Sequence, residues 1–313
     1  MPVVAEVVRS GFVEGRHHGS VVVLASDGSI AIEVGDVLAP MFPRSSNKPM
    51  QAAAMVTAGL GLGGELLALA AASHSGEPFH LDGVRKILAG AGLDVEALQT
   101  PPDYPYDAVA QREWIAAGHG PQPLAMNCSG KHAAMLATCV ANGWDIATYR
   151  DPGHPLQRAL RSTLEQLAGE TVSATGVDGC GAPVLAISLL GLARAGRACV
   201  LGEPTSAHRQ VADAMRSHPE WVGGTRRDVT ALMRGVPGLL AKDGAEGVSV
   251  VALADGRAAA VKIEDGAQRA RQVVTAAALQ ALGVDADVVG EQITFELVGG
   301  GRPVGTVRAV ALA

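Results

Sequence analysis

Apolar and polar positions alternate near the two ends of the chain and follow a helical period through its middle. Glu6 to Val13 and Ser20 to Ala25 are rich in β-branched residues, and a third such run, Ile30 to Val34, follows the turn Ser26-Asp27-Gly28-Ser29. Asp-Gly between apolar runs predicts a hairpin. The pattern returns later, where Val248 to Leu253 and Ala258 to Ile263 flank Ala254-Asp255-Gly256-Arg257. Gln268 to Leu282 reads as an amphipathic helix stopped by Gly283, and Gln292 to Val298 is placed to pair with Val304 to Ala311 across Gly299-Gly300-Gly301. Between these ends, helical spacing marks Gln51 to Ala58, Glu65 to Ala72, Leu81 to Ala91, Gln111 to Ala117, Lys131 to Asn142 and Gln157 to Ala168. The simplest assembly is an α+β fold. Residues 1–43 and 235–313 would form an antiparallel sheet subdomain from both termini, residues 44–234 an inserted, mainly helical subdomain, with the site between them. Hairpins need no helical crossover, which disfavours a parallel sheet. The Pro-rich loop from Gln99 to Tyr106 reads as a surface excursion.

Composition sharpens this picture in two ways. Aromatic residues are only 3% of the chain, so the core must be built from Ala, Val, Leu and Ile, and 39 glycines imply many tight turns and close backbone approaches. The formal charge is -6 with no basic cluster, which disfavours nucleic acid as a partner. No apolar run reaches the roughly 18 to 20 residues of a membrane span, so no membrane partner is expected. The opening Met-Pro-Val-Val-Ala-Glu lacks the basic start of a secretory signal, so a cytoplasmic location is expected. There, cysteines serve metals or catalysis more often than disulfides.

Two groups of residues carry candidate chemistry. In Pro43-Arg44-Ser45-Ser46-Asn47-Lys48-Pro49, Ser45 and Lys48 stand three apart at a helix start, so the amine lies over the hydroxyl. A serine needs a base to attack an amide, and a lysine serves only if its pKa falls toward neutrality. Pro49 complicates the helix start, since the residue before proline avoids the α region. Ser46 or Asn47 as a plain helix cap is the simpler reading of the motif. Further along, Ala72-Ser73-His74-Ser75-Gly76-Glu77 ends a helix, and Lys242 in Lys242-Asp243-Gly244 precedes a predicted strand. Ser-x-x-Lys, then Ser, then Lys-x-Gly is the order of the serine β-lactamase and penicillin-binding enzymes. The second group comprises Asn127-Cys128-Ser129-Gly130-Lys131-His132 and Val177-Asp178-Gly179-Cys180-Gly181. Cys128 and Cys180, in polar turns, suit a shared zinc ion, with His132 or Asp178 as a further ligand; both as buried thiols is the alternative. The Ser-Gly-Lys-His run lacks the first glycine of a phosphate loop.

These motifs, with Arg9-Ser10-Gly11-Phe12-Val13-Glu14, occur together and in order, and the chain resembles the class 3, Rhizobium-type L-asparaginases (the asparaginase II sequence family) along nearly its whole length. The resemblance implies hydrolysis of L-asparagine to L-aspartate and ammonia on a fold related to serine β-lactamases and glutaminases. It implies two serine–lysine tandems, Ser45 with Lys48 and Ser73 with Lys242. It also implies Zn2+ held by Cys128, Lys131 and Cys180, with the metal orienting substrate rather than supplying the nucleophile. Lys131 thus replaces His132 as third ligand. Arg44, His74, His132 and Asp178 are expected to contact L-asparagine, and a homodimer is expected. Where some relatives have a cysteine before Thr-x-Leu-Met-Arg, this chain has Val229. A glutaminase or other β-lactamase-like acyl-transfer hydrolase is the alternative enzyme, and a non-catalytic metal-binding protein the alternative of another class.

Overall fold

The computed structural model describes residues 1–312; Ala313, the last residue of the expected sheet subdomain, lies outside the described residues. The chain opens with β1 (Val3–Arg9) and β2 (Phe12–Leu24), so the predicted run Glu6–Val13 turns back on itself at Ser10–Gly11. Both turn residues have positive φ, 48° and 81°, the twist that suits a two-residue hairpin. β3 (Ile30–Val34) and the short β4 (Pro40–Met41) follow. Helices α1 (Lys48–Thr57), α2 (Gly64–Ala70), α3 (Pro78–Gly90), α4 (Ala108–Ala116), α5 (Ser129–Asn142) and α6 (Pro155–Ala168) fall where the helical spacing places them. The chain then adds β5 (Ala174–Val177), β6 (Pro183–Ser188), α7 (Leu189–Leu201), α8 (Ala207–Ser217), α9 (Pro219–Val222) and α10 (Asp228–Gly235). It closes with β7 (Leu240–Gly244), β8 (Val248–Ala252), β9 (Ala258–Ile263), α11 (Gln268–Ala281), α12 (Ala286–Val289), β10 (Thr294–Gly299) and β11 (Arg302–Ala309).

The fold is α+β, and its main sheet is antiparallel and built from both ends of the chain. It has eight strands in the order β10-β11-β1-β2-β9-β8-β7, with β3 also on β2. The long β2 makes this possible: residues up to His18 pair with β1, and Gly19 to Leu24 pair with β9. A second, three-stranded sheet, β4-β6-β5, takes β5 and β6 from the expected helical region and β4 from the expected sheet subdomain. Helices cover both faces of the main sheet at β8. Ser249 Oγ meets Thr275 Oγ1 of α11 at 2.6 Å, whereas Val250 faces α7, where a Cβ on Gly196 would lie 2.6 Å from it. Successive strand residues point to opposite faces, so β8 is buried along its whole length.

Three elements converge at the free edge of the sheet, β7. The 3-10 turn Arg44–Asn47 packs against Gly244, where a Cβ would lie 2.7 Å from Pro43 O and 3.2 Å from Ser45 N. Only glycine permits that approach, which gives the Lys-x-Gly motif its physical sense. The C-terminal end of α2 delivers Ser73, and the start of α5 delivers Cys128. Among the described residues no helix is long and apolar enough to cross a membrane.

Candidate active site

Ser45 sits on the 3-10 turn and Lys48 opens α1. Lys48 is in the α region, φ -60° and ψ -33°, although Pro49 follows it; its side chain is anchored firmly enough to override the pre-proline preference. That anchoring is three contacts of Nζ: Ala72 O at 2.5 Å, Ser73 Oγ at 3.0 Å and Cys128 Sγ at 3.1 Å. The pairing therefore differs from the expected tandems. Lys48 hydrogen-bonds Ser73, and among the described residues no hydrogen bond joins it to Ser45.

Lys242 likewise differs from expectation in place and partner. It lies inside β7 rather than before a strand, is fully buried, and donates to Asp243 O at 2.7 Å and Asp243 Oδ1 at 2.8 Å, not to Ser73. Burial lowers its pKa to about 8; Asp243 opposes the shift and the neighbouring Lys48 charge adds to it. Burial alone would raise the Asp243 carboxyl, but Lys242 and Arg227 outweigh it and hold that group well below the usual carboxylate range.

Ser45 and Ser73 line one cleft of about 100 Å³, together with Asp243, Gly244 and Ala245. A water's share of liquid is about 30 Å³, so the cleft suits one small molecule. Its remaining walls are Tyr106, Asn127, Arg227 and Gln268. Of these, Tyr106 belongs to the loop read as a surface excursion, and Arg227 and Gln268 carry no motif of their own. Only their convergence in space marks them.

The second group gathers behind Lys48. Lys131 Nζ lies 3.1 Å from Cys180 Sγ, and Cys128, Lys131 and Cys180 are all buried. A hydrogen bond with Cys180 is the main cause lowering the Cys128 thiol well below its ordinary value; burial opposes it, and Lys48 and Lys131 support it. The same bond raises Cys180. Burial would lower Lys131, but Cys180, Cys128 and Asp178 raise it above the ordinary lysine value. His132 donates or accepts at Tyr149 OH, 2.6 Å away, through Nδ1, while its buried Nε2 has no hydrogen-bond partner. Burial pushes His132 down to about 4, so the ring is neutral at pH 7. Among the described residues no three His, Cys, Asp or Glu side chains gather as a ligand set. With Lys131 counted, two sulfurs and one nitrogen converge, one sulfur already biased toward thiolate and an orphaned ring nitrogen beside them. Held charged by the neighbouring sulfurs, Lys131 has no lone pair to give; only after losing its proton would it complete a set of donors of the kind zinc takes.

The remaining expected contacts divide. Asp178 accepts from Arg44 Nε at 2.8 Å, beside Cys180. His74 is fully buried and spends both ring nitrogens inside the protein, Nε2 with Ser129 Oγ at 2.8 Å and Nδ1 with Gly76 N at 3.1 Å. Since Ser129 Oγ donates to Leu124 O, His74 is the Nε2–H tautomer, and it braces the Ser73 turn against the start of α5. Neither Arg44, His74, His132 nor Asp178 borders the cleft. Val229 is buried on α10, against Gly223.

Comparison with known proteins places these features. The sequence profile described as L-asparaginase II matches residues 5–309. No curated protein matches the sequence. Among solved structures the chain is similar to Mglu in its native form, at 14% identity and TM-score 0.45, covering 91% of this chain and 70% of that one. It is also similar to a β-lactamase from Mycobacterium bovis, at 14% identity and TM-score 0.47, covering 85% of this chain and 94% of that one.

Proposed function

Since the chain belongs to the L-asparaginase II family, and so to the asparaginase-type amidohydrolases that act on small molecules, we propose that it hydrolyses L-asparagine to L-aspartate and ammonia through a serine acyl-enzyme. The observation that carries this reading is the meeting of two serine hydroxyls at one cleft, Ser45 and Ser73, with Lys48 and Lys242 buried beneath. Ser45 is the proposed nucleophile. Its oxygen attacks the amide carbon while its proton passes through Ser73 to the Lys48 amine. The Ser45 and Ala245 N–H groups, neither spent on a backbone bond among the described residues, would receive the oxyanion. Collapse expels ammonia, which takes the proton back by the same relay. Water then attacks the ester with the roles reversed. Cys128, Lys131 and Cys180 would hold a zinc ion, which when bound supplies Lewis acidity toward a donor atom of the substrate.

One observation favours a second reading, with Ser73 as nucleophile: Ser73, not Ser45, bonds Lys48 directly. Ammonia release from L-asparagine and L-glutamine by wild type, Ser45→Ala and Ser73→Ala tests both. The proposal expects wild type to prefer L-asparagine and Ser45→Ala to lose up to about 10⁶-fold in kcat, the cost of removing a serine nucleophile elsewhere. Ser45→Ala retaining activity while Ser73→Ala loses it would transfer the role to Ser73. A preference for L-glutamine would make the enzyme a glutaminase.

A further inference from the structure

One cleft residue has unspent hydrogen-bonding capacity. Arg227 donates through Nη2 to Asp243 Oδ2, and its Cζ lies 4.8 Å from the centre of the Tyr106 ring. A guanidinium carries five N–H donors, and among the described residues the Arg227 side chain makes no other protein hydrogen bond. Its plane is fixed on one side by the carboxylate and on the other by the ring, while it borders the cleft that holds Ser45 and Ser73.

The mount of this residue is rigid. Ser73 N donates to Val222 O at 3.0 Å, Ser75 Oγ to Gly223 O at 2.8 Å, and Glu77 accepts from Thr225 N and Oγ1, both at 2.8 Å. Asp107 accepts from Arg226 Nε at 2.9 Å and Nη2 at 2.5 Å, which ties the Tyr106 loop to the same segment. The Ser73–Glu77 turn thus carries both a site serine and the Arg227 loop. Among the described residues Arg227 is the one cationic side chain on the wall of the cleft; Lys48 and Lys242 lie buried beneath it, Lys48 against the Cys128 sulfur and Lys242 against Asp243. An anionic group on the substrate would meet its charge there.

We propose that Arg227 is the specificity residue of the cleft, seating the free α-carboxylate of an amino-acid amide on its uncommitted N–H groups. A planar fork suits a carboxylate better than a point charge does. The inference rests on the proposed amide hydrolysis and deepens it: amides whose α-carboxylate is blocked or missing, including asparagine inside a peptide, would be rejected.

The test compares L-asparagine with β-alaninamide, the same amide without the carboxylate, in wild type, Arg227→Gln and Tyr106→Ala. Arg227→Gln should lower kcat/KM for L-asparagine by about 100-fold, mostly through KM, and change the slow β-alaninamide reaction less than about 3-fold. Tyr106→Ala keeps the Asp243 pair but frees the guanidinium plane, and should give a loss of the same kind of about 10-fold or less. Equal losses on both amides, with a moved pH midpoint, would mean that Arg227 acts only through Asp243 and Lys242, and would overturn the proposal. Calorimetric titration with L-aspartate separates this claim from the reaction itself. If wild type released no ammonia, the amidohydrolase reading would fail, yet binding of L-aspartate that Arg227→Gln abolishes would sustain the anchor. Equal affinity in the two proteins, or none in wild type, would overturn it.

Discussion

Lys242 sets the expected pH response of the site. Its amine faces Asp243, Lys48 and Arg227, and burial brings its pKa to about 8. The neutral fraction grows as pH rises through that value, and a neutral Lys242 no longer repels the proton that Lys48 takes through Ser73. Activity should therefore rise from pH 7 to a plateau above about 9, and Lys242→Met should remove that ionisation from the profile. A flat or falling wild-type profile across this range contradicts the assignment. The same shift carries a stability sign. Between about 8 and the ordinary lysine value the unfolded chain binds more protons, so this group makes the fold more stable as pH rises through that window. At the second cluster, Lys131 must lose its proton to bind a metal, so loading with zinc should release protons and weaken as pH falls. Cys128→Ser should lose the metal and raise KM more than it lowers kcat, because orientation is what is lost. Protein purified without chelators and free of metal would return both cysteines to the role of buried thiols.

At the scale of elements, the contact between β7 and the 3-10 turn decides where Ser45 stands. A methyl group at Gly244 would meet Pro43 O at 2.7 Å and must push the turn away. Gly244→Ala should cost about 1–3 kcal/mol of stability and at least about 10-fold in kcat, read by thermal unfolding beside steady-state kinetics. Unchanged kcat would show that the turn tolerates displacement. The hairpins and most helices were legible because their signals are local: Asp-Gly turns, and apolar residues at helical spacing. Elements buried all round were not. β6 is buried at every position and α7 exposes little of its surface, so neither shows alternation or a polar face. Both read as undifferentiated apolar sequence between two glycine-rich turns.

For the whole molecule, the antiparallel sheet of both termini was legible because hairpin signals recur at the two ends, and β1 does pair with β11. The motif residues of the site were legible by type, but their partners were not. Spacing places Lys48 over Ser45; the fold gives its amine to Ser73, which arrives from the end of α2. Tyr106 and Arg227 were invisible for the same reason, since they meet only when the α10 loop is clamped to the Ser73–Glu77 turn. The central claim is a covalent ester on Ser45, and hydroxylamine partitioning tests it most directly. Hydroxylamine intercepts an aspartyl-enzyme and diverts product to L-aspartate β-hydroxamate. Wild type should form the hydroxamate from L-asparagine in proportion to hydroxylamine, and Ser45→Ala should form neither hydroxamate nor aspartate. L-Aspartate released without any hydroxamate, or both products formed by Ser45→Ala at the wild-type rate, would contradict it.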